Sequence, residues 1–218
     1  MDSARIVDLL APFLQAPGPP ASLPDAQLGL VSAYLDLLLH WNTRINLTAV
    51  RDAESMVTRH FGESFFAARH IFRSQESGVG GQVRAIDLGS GAGFPGLPLK
   101  IFAPALALTL IESSQKKAAF LKEAVRILAL TDVYVFAGRG EDFPSTADLV
   151  TLRAVERHER ALGTAARLVA PGGRLALLIG SAQATRTPQL LPGFAWSAPI
   201  AIPQAAARVL LAGTNQPG

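Results

Sequence analysis

Asp87-Leu88-Gly89-Ser90-Gly91-Ala92-Gly93-Phe94-Pro95-Gly96 is the stretch on which the fold turns. It follows the apolar run Val83 to Asp87, which reads as a strand, and leads into Gly96 to Phe102, which reads as a helix. At the carboxyl end of a first strand an open α/β sheet binds its ligands, and glycines there let the backbone approach closely. Downstream, Leu106 to Glu112, Val133 to Ala137, Asp148 to Leu152 and Arg174 to Ile179 read as strands. Gln115 to Leu130 and Val155 to Ala170 read as the helices between them. Such alternation predicts a mostly parallel, doubly wound sheet with helices on both faces. Phe194 to Ile200 and Ala206 to Leu211 add a final pair of strands, interrupted by Pro199 and Pro203.

Upstream of the loop the pattern is helical. Ile6, Leu9, Leu10 and Phe13 mark a first helix, which the breaker cluster Ala16-Pro17-Gly18-Pro19-Pro20 ends. Ser22 with Asp25 resembles a capping box for a second helix that carries Leu28, Val31, Leu35, Leu38 and Leu39 and ends near Trp41. Asp52 caps a third, with Met56, Val57, His60, Phe61 and Phe65 on its apolar face. Gly78, Gly80 and Gly81 mark the change of regime, so residues 1–80 are expected to form a helical extension and 81–218 the ligand-binding domain.

Composition narrows the chemistry. Apolar residues make up 49% of the 218, enough for a sizeable core, which excludes bulk disorder. With no cysteine there is no disulfide, thiolate metal site or cysteine nucleophile. No apolar run has the length of a membrane span or a secretory leader, so a soluble cytoplasmic protein is expected, with no membrane partner. The net charge of +3 is small, but residues 161–218 hold four arginines and no acid, an asymmetry that favours approach of a polyanion.

Gly91-x-Gly93-x-x-Gly96 also fits the dinucleotide fingerprint, with Glu112 at the expected distance for an acidic partner. A pyrophosphate needs free N–H donors and is repelled by an adjacent carboxylate, whereas Asp87 lies two residues before the first glycine. S-adenosylmethionine has an ammonium and a sulfonium and no phosphate. Asp87 suits its amine, and Glu112 can accept hydrogen bonds from ribose hydroxyls. The balance therefore favours the methyl donor over a nicotinamide cofactor.

These motifs, with Leu99, Lys116-Lys117 and Phe120-Leu121, resemble those of the small-subunit ribosomal RNA guanine-N7 methyltransferase family. So do Trp41-Asn42, Asn46-Leu47-Thr48-Ala49, and His60 with Ser64 upstream. Gly138-Arg139-Gly140-Glu141 and Asp148 with Arg153-Ala154-Val155 extend the likeness downstream. The resemblance implies a class I, Rossmann-like methyltransferase that uses S-adenosylmethionine on one guanosine in the decoding-region loop of 16S ribosomal RNA, as naked RNA or in a subunit-assembly intermediate. It places cofactor contacts on Gly89, Phe94, Gly140, Glu141 and Arg153, alongside Asp87, Glu112 and the loop residues Ser90 and Gly91. It also implies a monomer without a metal. Three positions depart from the family pattern: Ile179 where lysine is usual, Glu63 where aspartate is common, and Gly140 where a small non-glycine residue is more usual.

Guanine N7 presents a lone pair and needs no deprotonation, so no residue is assigned as general acid or base. His60, on an apolar helical face, is expected to be a satisfied core histidine, and Trp41 and Asn42 to pin the helical extension to the sheet. Arg153 at a helix start opposes the helix dipole and so calls for a specific anion, a cofactor carboxylate or an RNA phosphate. Lys116, Lys117 and Arg139 are expected on solvated faces.

Overall fold

A computed structural model describes residues 1–15, 22–72, 82–153 and 158–216. Its centre is a sheet in the order β3-β2-β1-β4-β5-β8-β6, with β7 paired to β8. Strands β1 (Arg84–Leu88), β2 (Ala107–Ile111), β3 (Val133–Phe136), β4 (Ala147–Arg153) and β5 (Val169–Gly180) run parallel. β8 (Arg208–Asn215) is antiparallel to β5, to β6 (Phe194–Trp196) and to β7 (Ile200–Ala201). The order reverses at β1, which sends β2 to one side and β4 to the other and opens a crevice above the carboxyl ends of these strands.

Period-two alternation in the strands divides the core in two. Ala85, Leu108, Leu110, Leu149, Ala176, Leu178 and Leu210 face one layer, formed by α1 (Ser3–Leu14), α2 (Asp25–Asn42), α4 (Glu63–Phe72), α5 (Gly96–Phe102) and α6 (Gln115–Ile127). Ile86, Val150, Leu152, Leu175, Leu177, Ile179 and Leu211 face the other, formed by α7 (His158–Leu168) and α8 (Ser181–Leu190). The amino-terminal helices thus share one core with the sheet. Tyr34 of α2 is fully buried there, stacked on Phe94 at 5.3 Å and edge-on to Phe61 at 5.1 Å, and its hydroxyl donates to the Ala92 carbonyl.

Several expectations need correction. Ser22 does not cap α2: the helix starts at Asp25 with Pro24 as N-cap, and the Pro24 carbonyl accepts from the N–H groups of Gln27 and Leu28. Asp52 does cap α3 (Ala53–Met56), accepting the Ser55 N–H at 2.8 Å. The helix after it passes through a π turn, Val57–Gly62, before α4, and the Phe13 ring of α1 fills the space where a Gly62 Cβ would stand. The helix expected over Val155 to Ala170 stops at Leu168, and Val169 already pairs with Ala147 in the sheet; a bulge with Gly172 at φ +73° then carries β5 to the Arg174 register. The strand expected over Phe194 to Ile200 divides into β6 and β7 around Pro199, and the last strand starts and ends later than Ala206 to Leu211. Helix α8 had no sequence signal beyond Gln183, whose Oε1 accepts the Gly180 N–H at 3.0 Å; only Ala184 and Thr187 of it are buried. The breaker cluster at 16–20, the glycines at 78, 80 and 81 with the expected boundary at 80/81, and Ala154-Val155 lie outside the described residues.

Candidate functional site

The loop after β1 is a closed hydrogen-bond system. The N–H groups of Gly89 and Ser90 both donate to the Ile111 carbonyl, at 2.9 and 3.0 Å. Gly91 N–H donates to Glu112 Oε2 at 2.9 Å, and Gly93 and Phe94 N–H to the Ser90 carbonyl at 2.7 and 3.3 Å. Gly96 N–H, which opens α5, donates to Asp87 Oδ2 at 3.2 Å. Six N–H groups that a pyrophosphate would need are therefore occupied within the protein. Gly93, at φ +87°, lets the chain turn in contact with Tyr34 and Leu97.

Two carboxylates support this loop. Asp87 is buried at the end of β1; Oδ1 accepts the Thr151 hydroxyl at 2.7 Å, and the Asp87 carbonyl accepts the Ser90 hydroxyl at 2.8 Å. Burial pushes its carboxyl up to about 6, against the opposing pull of Thr151, Gly96, Ser90 and the Arg153 charge, so it is largely ionised at neutral pH. Glu112, at the end of β2, accepts the Gly91 N–H on one oxygen and the Ser114 N–H at 2.7 Å on the other. A carboxylate has about four lone-pair sites, so each oxygen keeps one for an incoming hydroxyl.

Beside the loop, on the α7 face, lies a cavity of about 300 Å³ lined by Leu88, Gly89, Ser113, Gly140, Glu141 and Thr164 among others. Three of the residues singled out from sequence, Gly89, Gly140 and Glu141, thus meet at one wall, with Glu112 next to Ile111 and Ser113 of the same wall. The turn Gly140–Asp142 is held from α7 by Arg167, which donates to the carbonyls of Gly140 at 2.6 Å and Glu141 at 3.0 Å. At Gly140 a Cβ would stand 2.5 Å from Leu88 Cδ1 and 2.8 Å from Thr164 Cγ2, so a side chain there would have to displace the ends of both. Arg139 also lines the cavity and is exposed.

Phe94 and Arg153 are on the other face of the same edge. Phe94 is buried between Tyr34 and His60, the latter stacked at 5.0 Å. Arg153 ends β4 and lies 6.0 Å above the Phe94 ring; its Nη2 donates to the Arg59 carbonyl at 2.6 Å and to Glu63 Oε2 at 3.0 Å, and lies 3.1 Å from His60 Nδ1. His60 Nε2 is hydrogen-bonded to the Thr48 hydroxyl at 2.7 Å. Burial first, then the charges of Arg153, Arg59 and Arg208, hold His60 down at about 3, so it is neutral throughout the physiological range. It is a half-buried histidine with contacts at both ring nitrogens, so the sequence expectation holds for its partners but not for a place in the core.

Asn42 accepts the N–H groups of Leu47 and Thr48 and donates to the Val50 carbonyl, and Trp41 packs edge-on to Phe120, so both are structural. Ile179 is 1% exposed and faces the α7 layer, so position 179 itself supplies no cation. Two residues escaped sequence reading as members of this site: Glu63, noted only as a departure, and Arg208, whose Nη2 lies 3.0 Å from Glu63 Oε2. No local signal marks Arg208; only the pairing of Gly180 with Arg208 across β5 and β8 brings it to this edge. Among the described residues no three His, Asp or Glu side chains are grouped for a metal, and no helix is long and apolar enough to cross a membrane.

Asp87 and His60 give stability opposite pH dependences. Asp87, raised above its unfolded value of about 4, adds stability at low pH that is lost as pH rises through about 6. His60, depressed from about 6.5 to about 3, adds stability at neutral pH that is lost as pH falls below about 6.5. Between about pH 4 and 6 each slope is about 1.4 kcal/mol per unit, and they cancel. Asp87→Asn should therefore show an additional loss of about 1.4 kcal/mol per unit on acidification relative to wild type, measured by urea unfolding at a series of pH values. Parallel curves for the two proteins would refute the assignment.

Residues 27–190 match the family model described as rRNA small subunit methyltransferase G. Curated relatives carrying the name Ribosomal RNA small subunit methyltransferase G include one from Xanthomonas campestris pv. campestris (strain B100), 42% identical over 67% of this chain and 66% of its own length. One from Myxococcus xanthus is 36% identical over 84% of this chain and 82% of its own. The matched region thus spans just under two thirds of the Xanthomonas relative and most of the Myxococcus one. Among solved structures, the ribosomal protein L11 methylase of Lactobacillus delbrueckii subsp. bulgaricus superposes with TM-score 0.56 at 13% identity, covering 73% of this chain and 80% of that one. A SAM-dependent methyltransferase from Aquifex aeolicus gives 0.52 at 15% identity, covering 67% and 87%. At such identities the likeness is one of fold, and it agrees with the expected class I methyltransferase architecture.

Proposed function

From the premise that this chain belongs to the rRNA small subunit methyltransferase G family, we propose that it transfers a methyl group from S-adenosylmethionine to N7 of a guanosine in the decoding-region loop of 16S ribosomal RNA. The observation that carries this reading is the spent loop: its N–H groups serve Ile111, Glu112, Ser90 and Asp87, which leaves the crevice suited to hydroxyls and an ammonium and unsuited to a pyrophosphate.

The residues present fit the cofactor. Gly89, Glu112, Gly140 and Glu141 would hold its nucleoside half, with the free lone pairs of Glu112 taking the ribose hydroxyls. Asp87 would favour its ammonium by charge, and Arg153 its carboxylate. Ser90, Gly91 and Phe94 act at one remove, shaping the loop and the aromatic floor. When bound, S-adenosylmethionine supplies an activated methyl group. The protein's contribution is placement, since fixing nucleophile and acceptor geometry contributes up to about 7–11 kcal/mol. His60, with both ring nitrogens committed, is not available as a base, which accords with a nucleophile that needs none.

In this reading the protein is a cytoplasmic monomer. The large exposed apolar side chains, Val7, Ile127, Tyr134, Leu190 and Ile200, come from separate elements. The test is methyl transfer from labelled cofactor to 16S RNA or to small subunits isolated from a strain lacking the enzyme, with the product mapped by primer extension after N7-specific cleavage. Incorporation at one guanosine is expected, with calorimetric binding of S-adenosylhomocysteine and none of NADH. Tight NADH binding without a response to S-adenosylhomocysteine would reverse the proposal.

A further inference from the structure

Between its ends, β4 is apolar at every position but one. Val150 and Leu152 face the α7 layer and Leu149 the other, where strand alternation also puts Thr151. Thr151 is 1% exposed. Valine has the same shape and suits a buried strand at least as well, so a hydroxyl at this position calls for an acceptor. The parallel register of β1 and β4 supplies one, because it sets Asp87 beside Thr151 on the same face. A hydroxyl has a single proton to donate. It stands 2.7 Å from Asp87 Oδ1 and 3.5 Å from the Ile86 carbonyl, so the carboxylate takes it. The other carboxylate oxygen accepts the longer bond from Gly96 N–H, at 3.2 Å.

The surroundings give that short bond its weight. Burial disfavours the ionised form of Asp87, and Thr151 is the strongest of the groups that act against burial, ahead of Gly96, Ser90 and the Arg153 charge. Arg153, next on this face of β4, is shared with Glu63 of α4 at 3.0 Å. Tyr34 of α2 faces Asp87 with a hydroxyl that burial keeps protonated. Lys100 of α5 is tied to the carbonyls of Pro104 and Leu106, and Glu112 at the end of β2 to the N–H groups of Gly91 and Ser114. Leu110, the β2 neighbour of Asp87, carries no charge.

We infer that Thr151 is a positioning residue for the methyl donor: its hydroxyl orients Asp87 and holds it as a carboxylate, the form that attracts the cofactor's ammonium. The inference rests on the cofactor reading above and adds a residue that the family resemblance does not mark. Thr151 acts through Asp87 and touches no reacting atom.

The test compares wild type, Thr151→Val, Thr151→Ser and Asp87→Asn. The first measurement follows the Asp87 carboxyl carbon by NMR in the ligand-free protein over a pH series. Its midpoint, about 6 in wild type, should rise by about one unit in Thr151→Val, which loses a hydrogen bond to a charged group, and stay near the wild-type value in Thr151→Ser, which keeps the hydroxyl. The second is calorimetric binding of S-adenosylhomocysteine and of its deamino analogue, which keeps the nucleoside, sulfur and carboxylate and lacks the ammonium. Thr151→Val should bind S-adenosylhomocysteine about fivefold more weakly than wild type at about pH 6 and within about twofold of it at about pH 7.5, where both proteins have Asp87 largely ionised. Thr151→Ser should follow wild type, Asp87→Asn should bind weakly throughout, and the analogue should show no such gap. Thr151→Ala, which also lacks the hydroxyl, replaces the valine variant if that does not fold. An unmoved midpoint would overturn the inference. So would a loss of affinity that is the same at both pH values, or one that the analogue shares, since either marks a packing role. The two readings fail separately: wild type that binds neither ligand refutes the cofactor reading whatever the midpoint does, whereas binding with an unmoved midpoint refutes the role of Thr151 alone.

Discussion

Glu63→Ala is expected to destabilise the protein by about 3–5 kcal/mol, the range for removing one partner of a buried ion pair. The acid is 3% exposed at its side chain and is the carboxylate paired with both Arg153 and Arg208. Without it, the hydrogen-bonding contacts left to Arg153, 10% exposed, among the described residues are the His60 nitrogen and the Arg59 carbonyl, neither of which carries charge. A loss of that size is a large share of the 5–15 kcal/mol by which a domain is ordinarily stable, so the variant should unfold well below the wild-type midpoint in urea. Glu63→Asp keeps the charge on a shorter stem and should recover part of the difference. In the double variant Glu63→Leu with Arg153→Met, most of the stability should return, because Arg208 is exposed enough to turn to solvent. A Glu63→Ala midpoint within about 1 kcal/mol of wild type would mean that water, and not Glu63, balances these arginines.

The second large effect is at Gly93. Its φ of +87° lies in the region that side chains avoid, and a Cβ would stand 2.6 Å from Leu97 Cδ1 while meeting the Tyr34 hydroxyl. Backbone strain of about 1–2 kcal/mol adds to about 1–3 kcal/mol of overpacking, so Gly93→Ala should cost about 2–5 kcal/mol. Cofactor binding should fall as well, because Tyr34 holds Ala92 and the Gly93 N–H closes onto Ser90. Gly29→Ala is the control of opposite sign. Gly29 is exposed within α2, with open space where the methyl would go, so alanine there should stabilise by about 0.5–1 kcal/mol. If both substitutions shifted the melting temperature alike, the steric account of the loop would be wrong.

What the chain determined by itself was local. The apolar runs Leu106 to Glu112 and Arg174 to Ile179 set strands with two apolar faces, and the glycines after Asp87 set a turn that favours small residues, because both depend on neighbours a few positions away. Gly89, Gly140 and Glu141 were marked by the family resemblance, and they meet at one cavity because they follow strand ends and parallel strands bring their ends together. Tertiary structure alone decided the rest. Whether the loop offers its N–H groups to a ligand or spends them on Ile111 and Glu112 depends on where a neighbouring strand stops. Glu63 and Arg153 are ninety residues apart in sequence, and Arg208 joins them through the antiparallel return of the last long strand. Charge acts over ångströms of space and not along the chain, so the balance of this group is set by how α4, β4 and β8 converge and is invisible to any window of sequence.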